Sequence, residues 1–236
     1  MTGEANSALA EEVFRALVGT WPAAGVRETQ GWLIRDGAGG GKRVSSALAL
    51  EASADPEVLT KEMADPLVMV HGAQNGLDER LEQKGWSVVD PTVLYAVSIG
   101  EIAVPPPLVS SFHCAWPPLR IAHELWQNGG IGADRVAVMD RAQGPKISVV
   151  ARLDEKPVGV AFAAIAGNVA MVHALEVRTA ARRGGAGTNM MRAAAVWAQD
   201  HGAETLAVAV TQANTGGNSL YTSLNMAVVG HYHYRH

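Results

Sequence analysis

The sequence holds a single cysteine, Cys114, in 236 residues. One thiol closes no internal disulfide, so nothing in the chain asks for an oxidising compartment. A basic run is also missing: 19 Lys and Arg stand against 23 Asp and Glu, a formal net charge of −4. Nucleic acids and anionic membranes are met by clustered cations that neutralise phosphate, so neither is an expected partner. The N-terminus, Met1-Thr2-Gly3-Glu4, carries no positive segment, and Glu11, Glu12 and Arg15 break the apolar positions after it, unlike a secretory leader. Val158 to Leu175 is free of Asp, Glu, Lys and Arg, but Gly167-Asn168 interrupts it and reads as a hairpin turn rather than the middle of a membrane span. What remains is a cytoplasmic, globular protein that handles small molecules, with 48% hydrophobic residues to build a core.

Against the roughly 150 residues of a common domain, the length suggests one full domain with a smaller partner. Leu9, Val13, Ala16 and Leu17 recur at helical spacing over Ser7 to Gly19, and Trp21-Pro22 ends that helix. Trp32 to Ile34 and Val44 to Leu50 read as strands joined by a glycine-rich turn, Gly37 to Gly41, which is read as flexible ahead of the alternative that its Lys42-Arg43 touch a ligand. A short helix opens at Asp55-Pro56, Leu67 to Val70 reads as a strand, Gln74 to Lys84 as a helix and Trp86 to Ser98 as a strand. Pro105 to Pro107 and Trp116-Pro117-Pro118 then punctuate the chain and place a boundary near residue 110. The expected division is a small α+β domain over 1–110 and a larger one over 111–236.

In the second part, a helix over Leu119 to Gln127 and a glycine-rich break at Gly129 to Gly132 precede three meander strands, Lys146 to Leu153, Val158 to Ala166 and Val169 to Val177. A helix follows to His201, with Met190, Met191, Ala194 and Trp197 on one side. Thr205 to Val210 is a further strand, Asn214 to Leu224 a short helix and Ala227 to Arg235 a last strand. The order predicts an α+β fold: a mixed, mostly antiparallel twisted sheet with flanking helices.

The chemistry-bearing junction is the strand–turn–helix segment Arg182-Arg183-Gly184-Gly185-Ala186-Gly187-Thr188. Its glycines let the backbone turn tightly and leave successive N–H groups uncovered at a helix N-terminus, an arrangement that suits a phosphate or pyrophosphate. Two nucleotide motifs fail on spacing. At Gly41-Lys42 the first glycine slot of a Walker A loop holds Asp36 and its last slot holds Arg43, and Gly185-Ala186-Gly187 is followed by Met190 where a dinucleotide fingerprint needs glycine.

The junction resembles the acetyl-CoA-binding motif of the GNAT superfamily of N-acetyltransferases, [QR]-x-x-G-x-[GA]. Leu175-Glu176-Val177 resembles that family's strand end, whose splayed backbone pairs with the pantetheine arm. Asn214 to Tyr221 is similar to its later helix, and Tyr232 to Arg235 to its last strand. The resemblance covers Leu119 to Arg235, with three departures: Gly217 in place of the usual Ala, Thr179 where Pro is common, and Asn225-Met226 in place of Gly-Phe. It implies acetyl-CoA as co-substrate, no metal, and cofactor contacts from Leu175, Val177, Arg182, Arg183, Gly184, Gly185, Ala186, Gly187, Thr188 and Asn214. The first half faintly resembles a degenerate GNAT-like unit without the glycine-rich loop. It is expected to cap the acceptor cleft, with Trp32, Trp86 or Trp116 as walls, or else to serve as a purely structural cap.

On that reading an amine attacks the thioester carbonyl directly, so a base must take a proton, an N–H must meet the oxyanion, and the departing sulfur needs an acid. Tyr221 resembles the family's acid; otherwise its ring is packing. Strand parity puts His173 on one face with Leu175 and Val177, and Glu176 on the other. His173 is then the candidate base, or else a hydrogen-bonded core histidine, and Glu176 takes its place if a bulge flips the parity. His113-Cys114 point apart on an extended segment, and His231, His233 and His236 read as part of a solvated terminal strand rather than a metal site. The implied function is transfer of acetyl to the amine of a small molecule, with homodimerisation open. A non-catalytic acyl-CoA sensor would not need Tyr221 and His173, and a protein amine acetyltransferase would be served by an acidic cluster that the chain lacks.

Overall fold

The computed structural model describes residues 3–72 and 74–236, with side chains from Ser7 onward. Met1 and Thr2, on which part of the reading of the N-terminus rests, lie outside the described residues. The chain starts with α1 (Gly3–Thr20) and a three-stranded antiparallel sheet of β1 (Gly25–Thr29), β2 (Trp32–Asp36) and β3 (Leu48–Ala49), with α2 (Lys42–Ser45) between β2 and β3. The expected strand over Val44 to Leu50 is thus mostly absent. Its apolar Val44, Ala47 and Leu48 are buried by a short helix and a bend, and pairing survives only at Leu48–Ala49 and in a single bridge from Ala47 to Val68. Next come α3 (Glu57–Glu62), β4 (Val68–His71), α4 (Asn75–Gln83), β5 (Val88–Ser98) and α5 (Ile99–Ile102).

The rest comprises β6 (Ser111–Ala115), α6 (Arg120–Asn128), α7 (Ala133–Arg141), β7 (Lys146–Leu153), β8 (Lys156–Ala166), β9 (Val169–Val177), α8 (Ala186–Asp200), β10 (Thr205–Thr211), α9 (Thr215–Ser223) and β11 (Ala227–Arg235). These strands join β4 and β5 in one eight-stranded sheet of order β4-β11-β5-β10-β9-β8-β7-β6, antiparallel except for the parallel pair β9 and β10. The expected α+β class, with a mostly antiparallel sheet and flanking helices, is the observed one. Residue 110 falls between α5 and β6, and strands from before and after it interleave: β5 is hydrogen-bonded to β10 on one side and β11 on the other.

The sheet is covered on both faces. On one, α8 lays Met190, Met191 and Trp197 on β7 to β10, and its alanines let the helix approach closely. On the other, Val13, Phe14 and Leu17 of α1 cover β9 to β11, while Leu125, Trp126 and Met139 of α6 and α7 cover β7 and β8. Each fully buried large side chain contributes roughly 1.5–3 kcal/mol. β11 corrects the expectation of a solvated terminal strand. It lies inside the sheet, and its Arg235 Nε and His233 Nε2 meet Asp78 Oδ1 of α4 at 2.6 and 2.8 Å. The seclusion of Tyr232 and Tyr234 follows from that interior place.

Candidate active site

The parallel register of β9 with β10 runs from Val169–Thr205 to Val172–Val208 and stops there. Its end coincides with a bulge: Phe162 pairs with His173 and Val160 with Glu176, so two residues of β9 face one of β8, and Ala174 takes φ 50°. The bulge turns the edge of β9 away from β10, and its backbone groups there have no strand partner on that side.

The bulge also corrects the expected parity. Leu175 and Val177 pack into the cluster under α8 and α9, as Ala170 and Val172 do before the bulge, whereas His173 lies on the opposite face among Trp21 and Phe162. Glu176 lies against the α6–α7 turn, where a Cβ on Gly129 would stand 2.9 Å from its Cδ. His173 therefore shares no face with Leu175 and Val177. The extra residue at Ala174 is the cause.

Below the splay the chain turns through Thr179–Ala181 into α8. Gly185 caps the helix at φ 80°, with nothing within 4 Å of where a Cβ would be. Arg182 to Gly185 are exposed. Among the described residues the N–H groups of Arg183 to Thr188 meet no acceptor. A turn with open donors and the positive end of a 15-residue helix behind it fits a pyrophosphate. Arg182 folds back, its Nε donating to Val177 O at 3.2 Å, which ties this turn to the end of β9. Gly187 packs α8 onto α9, since a Cβ there would stand 2.9 Å from Leu220 Cδ2. Asn214 caps α9, its Oδ1 accepting from Gly217 N at 2.9 Å. Gly217 stands where a Cβ would lie 3.0 Å from Val210 Cγ2, a physical reason for the missing alanine.

Tyr221 of α9 is buried beside Tyr95, ring centroids 5.8 Å apart, yet its hydroxyl is neither hydrogen-bonded nor fully covered among the described residues. Burial, with the nearby charge of Glu176, pushes its pKa up to about 12, so it stays protonated and able to donate. Half-buried Glu176 has its pKa raised by burial, partly offset by Arg182. His173 is differently committed. Thr20 Oγ1 gives its proton to Ala16 O at 2.7 Å, so it accepts from His173 Nε2 at 2.8 Å. Nδ1 then carries the lone pair, and Arg43 Nη1 donates to it at 3.4 Å. Burial and the Arg43 charge hold His173 well below its ordinary pKa, consistent with this neutral tautomer.

On the α1 side of the splay lies a cavity of about 330 Å³, at the small end of ligand sites. Ala174 of the bulge and Thr211 of β10 line it, so it reaches the point where the strands part. Trp21, Arg43, Arg135 and Tyr232 form much of its wall; sequence reasoning missed Trp21, Arg135 and Tyr232 as site residues and ranked a ligand contact by Lys42-Arg43 below a flexible turn. Trp21 was read only as a helix stop, and the expected walls lie elsewhere. Trp32 is wholly buried with Nε1 donating to Asp55 O, Trp86 packs on the same cluster, and Trp116 packs against Phe162. The glycine-rich turn expected to be flexible is packed: a Cβ on Gly40 would collide with Val138 Cγ2 and stand 3.0 Å from Gly37 O. Half-buried Cys114 and exposed His113 lie on the edge strand β6, away from the splay. Among the described residues no group of three His, Cys, Asp or Glu side chains is placed to hold a metal, and no helix is long and apolar enough to cross a membrane.

A family model described as the acetyltransferase (GNAT) family matches residues 109–226. No curated relative matches the chain in sequence. Among solved structures, a GCN5-related N-acetyltransferase from Kribbella flavida superposes with a TM-score of 0.69 at 19% identity, over 98% of this chain and 94% of that one. A functionally unknown conserved protein from Staphylococcus epidermidis reaches 0.66 at 10% identity, over 91% and 94%. A tandem GNAT protein from the clavulanic acid biosynthesis pathway reaches 0.60 at 16% identity, over 86% and 76%. At these identities the likeness is one of fold, and it extends through the N-terminal half.

Proposed function

The chain belongs to the acetyltransferase (GNAT) family and is an acyltransferase, and from that premise we propose that it transfers acetyl from acetyl-CoA to the amine of a small molecule. The observation that carries this reading is the joint placement of an open anion cradle and a small cavity about one strand splay. Acetyl-CoA supplies the acetyl group as a thioester. The uncovered N–H groups of Gly184 to Thr188 hold its pyrophosphate, with Arg182 and Arg183 beside them, and Leu175 and Val177 border the pantetheine path. Asn214 contributes by capping the helix that carries Tyr221.

The amine enters from the cavity. Glu176, rather than His173, takes its proton, because the lone pair on His173 is already committed to Arg43 while the Glu176 carboxylate is half-buried and holds a raised pKa. A C–N bond forms as the C–S bond breaks, unpaired N–H groups on the β9 edge meet the carbonyl oxygen, and Tyr221 gives its proton to the departing sulfur. The small cavity favours a small-molecule acceptor over a protein segment.

The test is coenzyme A release from acetyl-CoA in the presence of primary amines, with Tyr221→Phe alongside. Amine-dependent release that falls about 100-fold in the variant is the expected result. No release with any amine, or an unaffected variant, overturns the assignment.

A further inference from the structure

We propose that the acceptor amine carries an anionic group, carboxylate or phosphate, which Arg43 binds at the cavity floor and Arg135 at its rim. The inference rests on the acyltransferase reading and names its substrate class. Its basis is an unmatched charge. Arg43 is half-buried on the cavity wall. Its neighbours are neutral: Tyr232 Oη accepts from Nε at 3.2 Å, His173 Nδ1 from Nη1 at 3.4 Å, and the Trp21 ring lies 5.9 Å from Cζ. Among the described residues no carboxylate comes within 4.0 Å of it.

A cation drawn out of water without a counter-ion loses solvation that nothing replaces, a cost that a bound anion offsets. The nearest buried charge makes matters worse, because Arg35, bonded to Ser46 O at 2.8 Å and to Ser46 Oγ, is a second arginine with no carboxylate. Among the described residues the one carboxylate on the cavity wall, Asp90, is already taken by Lys42 at 2.7 Å. Exposed Arg135 also lines the cavity, where a Cβ on Gly41 would stand 3.8 Å from its Nε, and among the described residues it too has no acidic partner. The wall thus carries three cations against one carboxylate.

Geometry gives the anion a purpose. Ala174 and Thr211 at the splay line the same cavity as Arg43, whose Nη1 lies 3.4 Å from Nδ1 of His173, the residue before Ala174, so an anion on Arg43 and an amine at the splay share one small space. An anion on Arg43 therefore aims the amine at the splay. Arg43 has no freedom to turn away, because the chain Ala16 O, Thr20 Oγ1, His173, Arg43 fixes it, and a guanidinium so fixed presents its remaining N–H groups as a fork.

The experiment follows coenzyme A release from acetyl-CoA with three matched acceptor sets: L-amino acids, their carboxamides, and phosphate-bearing amines such as phosphoethanolamine. The expected result is kcat/KM for an anionic set on the order of 100-fold above that of the carboxamides, the difference that a lost charge-assisted pair produces. Activity confined to amino acids identifies carboxylate as the source, and activity confined to phosphate-bearing amines identifies phosphate. Arg43→Gln removes the preference, and Arg135→Gln, at an exposed rim, reduces it with the fold intact. Should Arg43→Gln fail to fold, Arg43→Lys, which keeps the charge and loses the fork, and Arg135→Gln decide. Equal use of the carboxamides, or a preference that survives these variants, overturns the inference while leaving the transferase reading in place. Where no amine is used, N-acetylglycine and its carboxamide are titrated calorimetrically into the protein. Failure to bind acetyl-CoA sinks the transferase reading, and equal or absent heats for the two probes sink the inference.

Discussion

Two glycine-rich turns flank the splay, and they are glycine-rich for opposite reasons. In Gly37 to Gly41, neighbours press inward: a Cβ on Gly37 or Gly40 would collide with Ser45 Oγ or Val138 Cγ2. In Gly184 to Gly187 the critical residue, Gly185, has no neighbour within 4 Å and needs glycine for φ 80° and for the space in front of it. One turn is a packed wall that positions Lys42 and Arg43; the other leaves its N–H groups uncovered. Composition alone does not separate them. What does is whether the missing side chain is displaced by protein or by room left for a ligand.

The largest separation is expected at Glu176, which stands between the two sides. Glu176→Gln should lower kcat by at least about 100-fold. Its effect on stability has the opposite sign. A carboxyl whose folded pKa is raised contributes most below its unfolded pKa, and that contribution is lost as pH rises through the folded value. At pH 7 the charged group therefore costs stability, so the glutamine variant should melt at the same temperature or higher; loss of both activity and stability would reduce Glu176 to a packing residue.

Gly40→Ala probes the packed turn. It should cost about 1–3 kcal/mol by overpacking, seen as a lower melting temperature, with acetyl-CoA affinity unchanged. An unchanged melting temperature would show that the wall gives way and that the contrast between the turns is weaker than the contacts imply.

A smaller effect is expected at Thr20→Val, which leaves the buried Nε2–H of His173 without an acceptor at about 1–3 kcal/mol. If His173 positions Arg43, KM for the acceptor rises several-fold while kcat holds. A fall in kcat alone would instead make His173 part of the proton transfer. The smallest effect is in pH. His173 has a lowered folded pKa, so its neutral form contributes stability fully above about pH 6.5 and loses it as pH falls below that value. Melting followed from pH 7.5 to 5 should show a shallower decline in His173→Phe than in the parent.

Legibility in the sequence follows the same contrast. The cradle, Arg182 to Thr188, is contiguous, and the strand before it and the helix after it are strongly patterned, so residues and fold could be read together. The cavity draws Trp21, Arg43, Arg135 and Tyr232 from four separate stretches of the chain, and each has an ordinary local reading: a helix stop, a turn cation, a residue after a glycine-rich break, a strand aromatic. Helix α7 went unread because its nine residues follow Gly129 to Gly132, which look like the start of a long loop. The bulge at Ala174 leaves no signal in residue type, yet it decides which face His173 takes. The place of β11 within the sheet depends on β4 and β5, which lie more than a hundred residues earlier.

The most direct measurement is calorimetric titration of acetyl-CoA into the parent protein, Gly185→Glu and Gly40→Ala. The expected result is saturable binding to the parent and to Gly40→Ala, with none to Gly185→Glu, whose carboxylate would fill and repel the cradle. Equal binding to all three, or no binding to the parent, would contradict the assignment of that turn as the cofactor site.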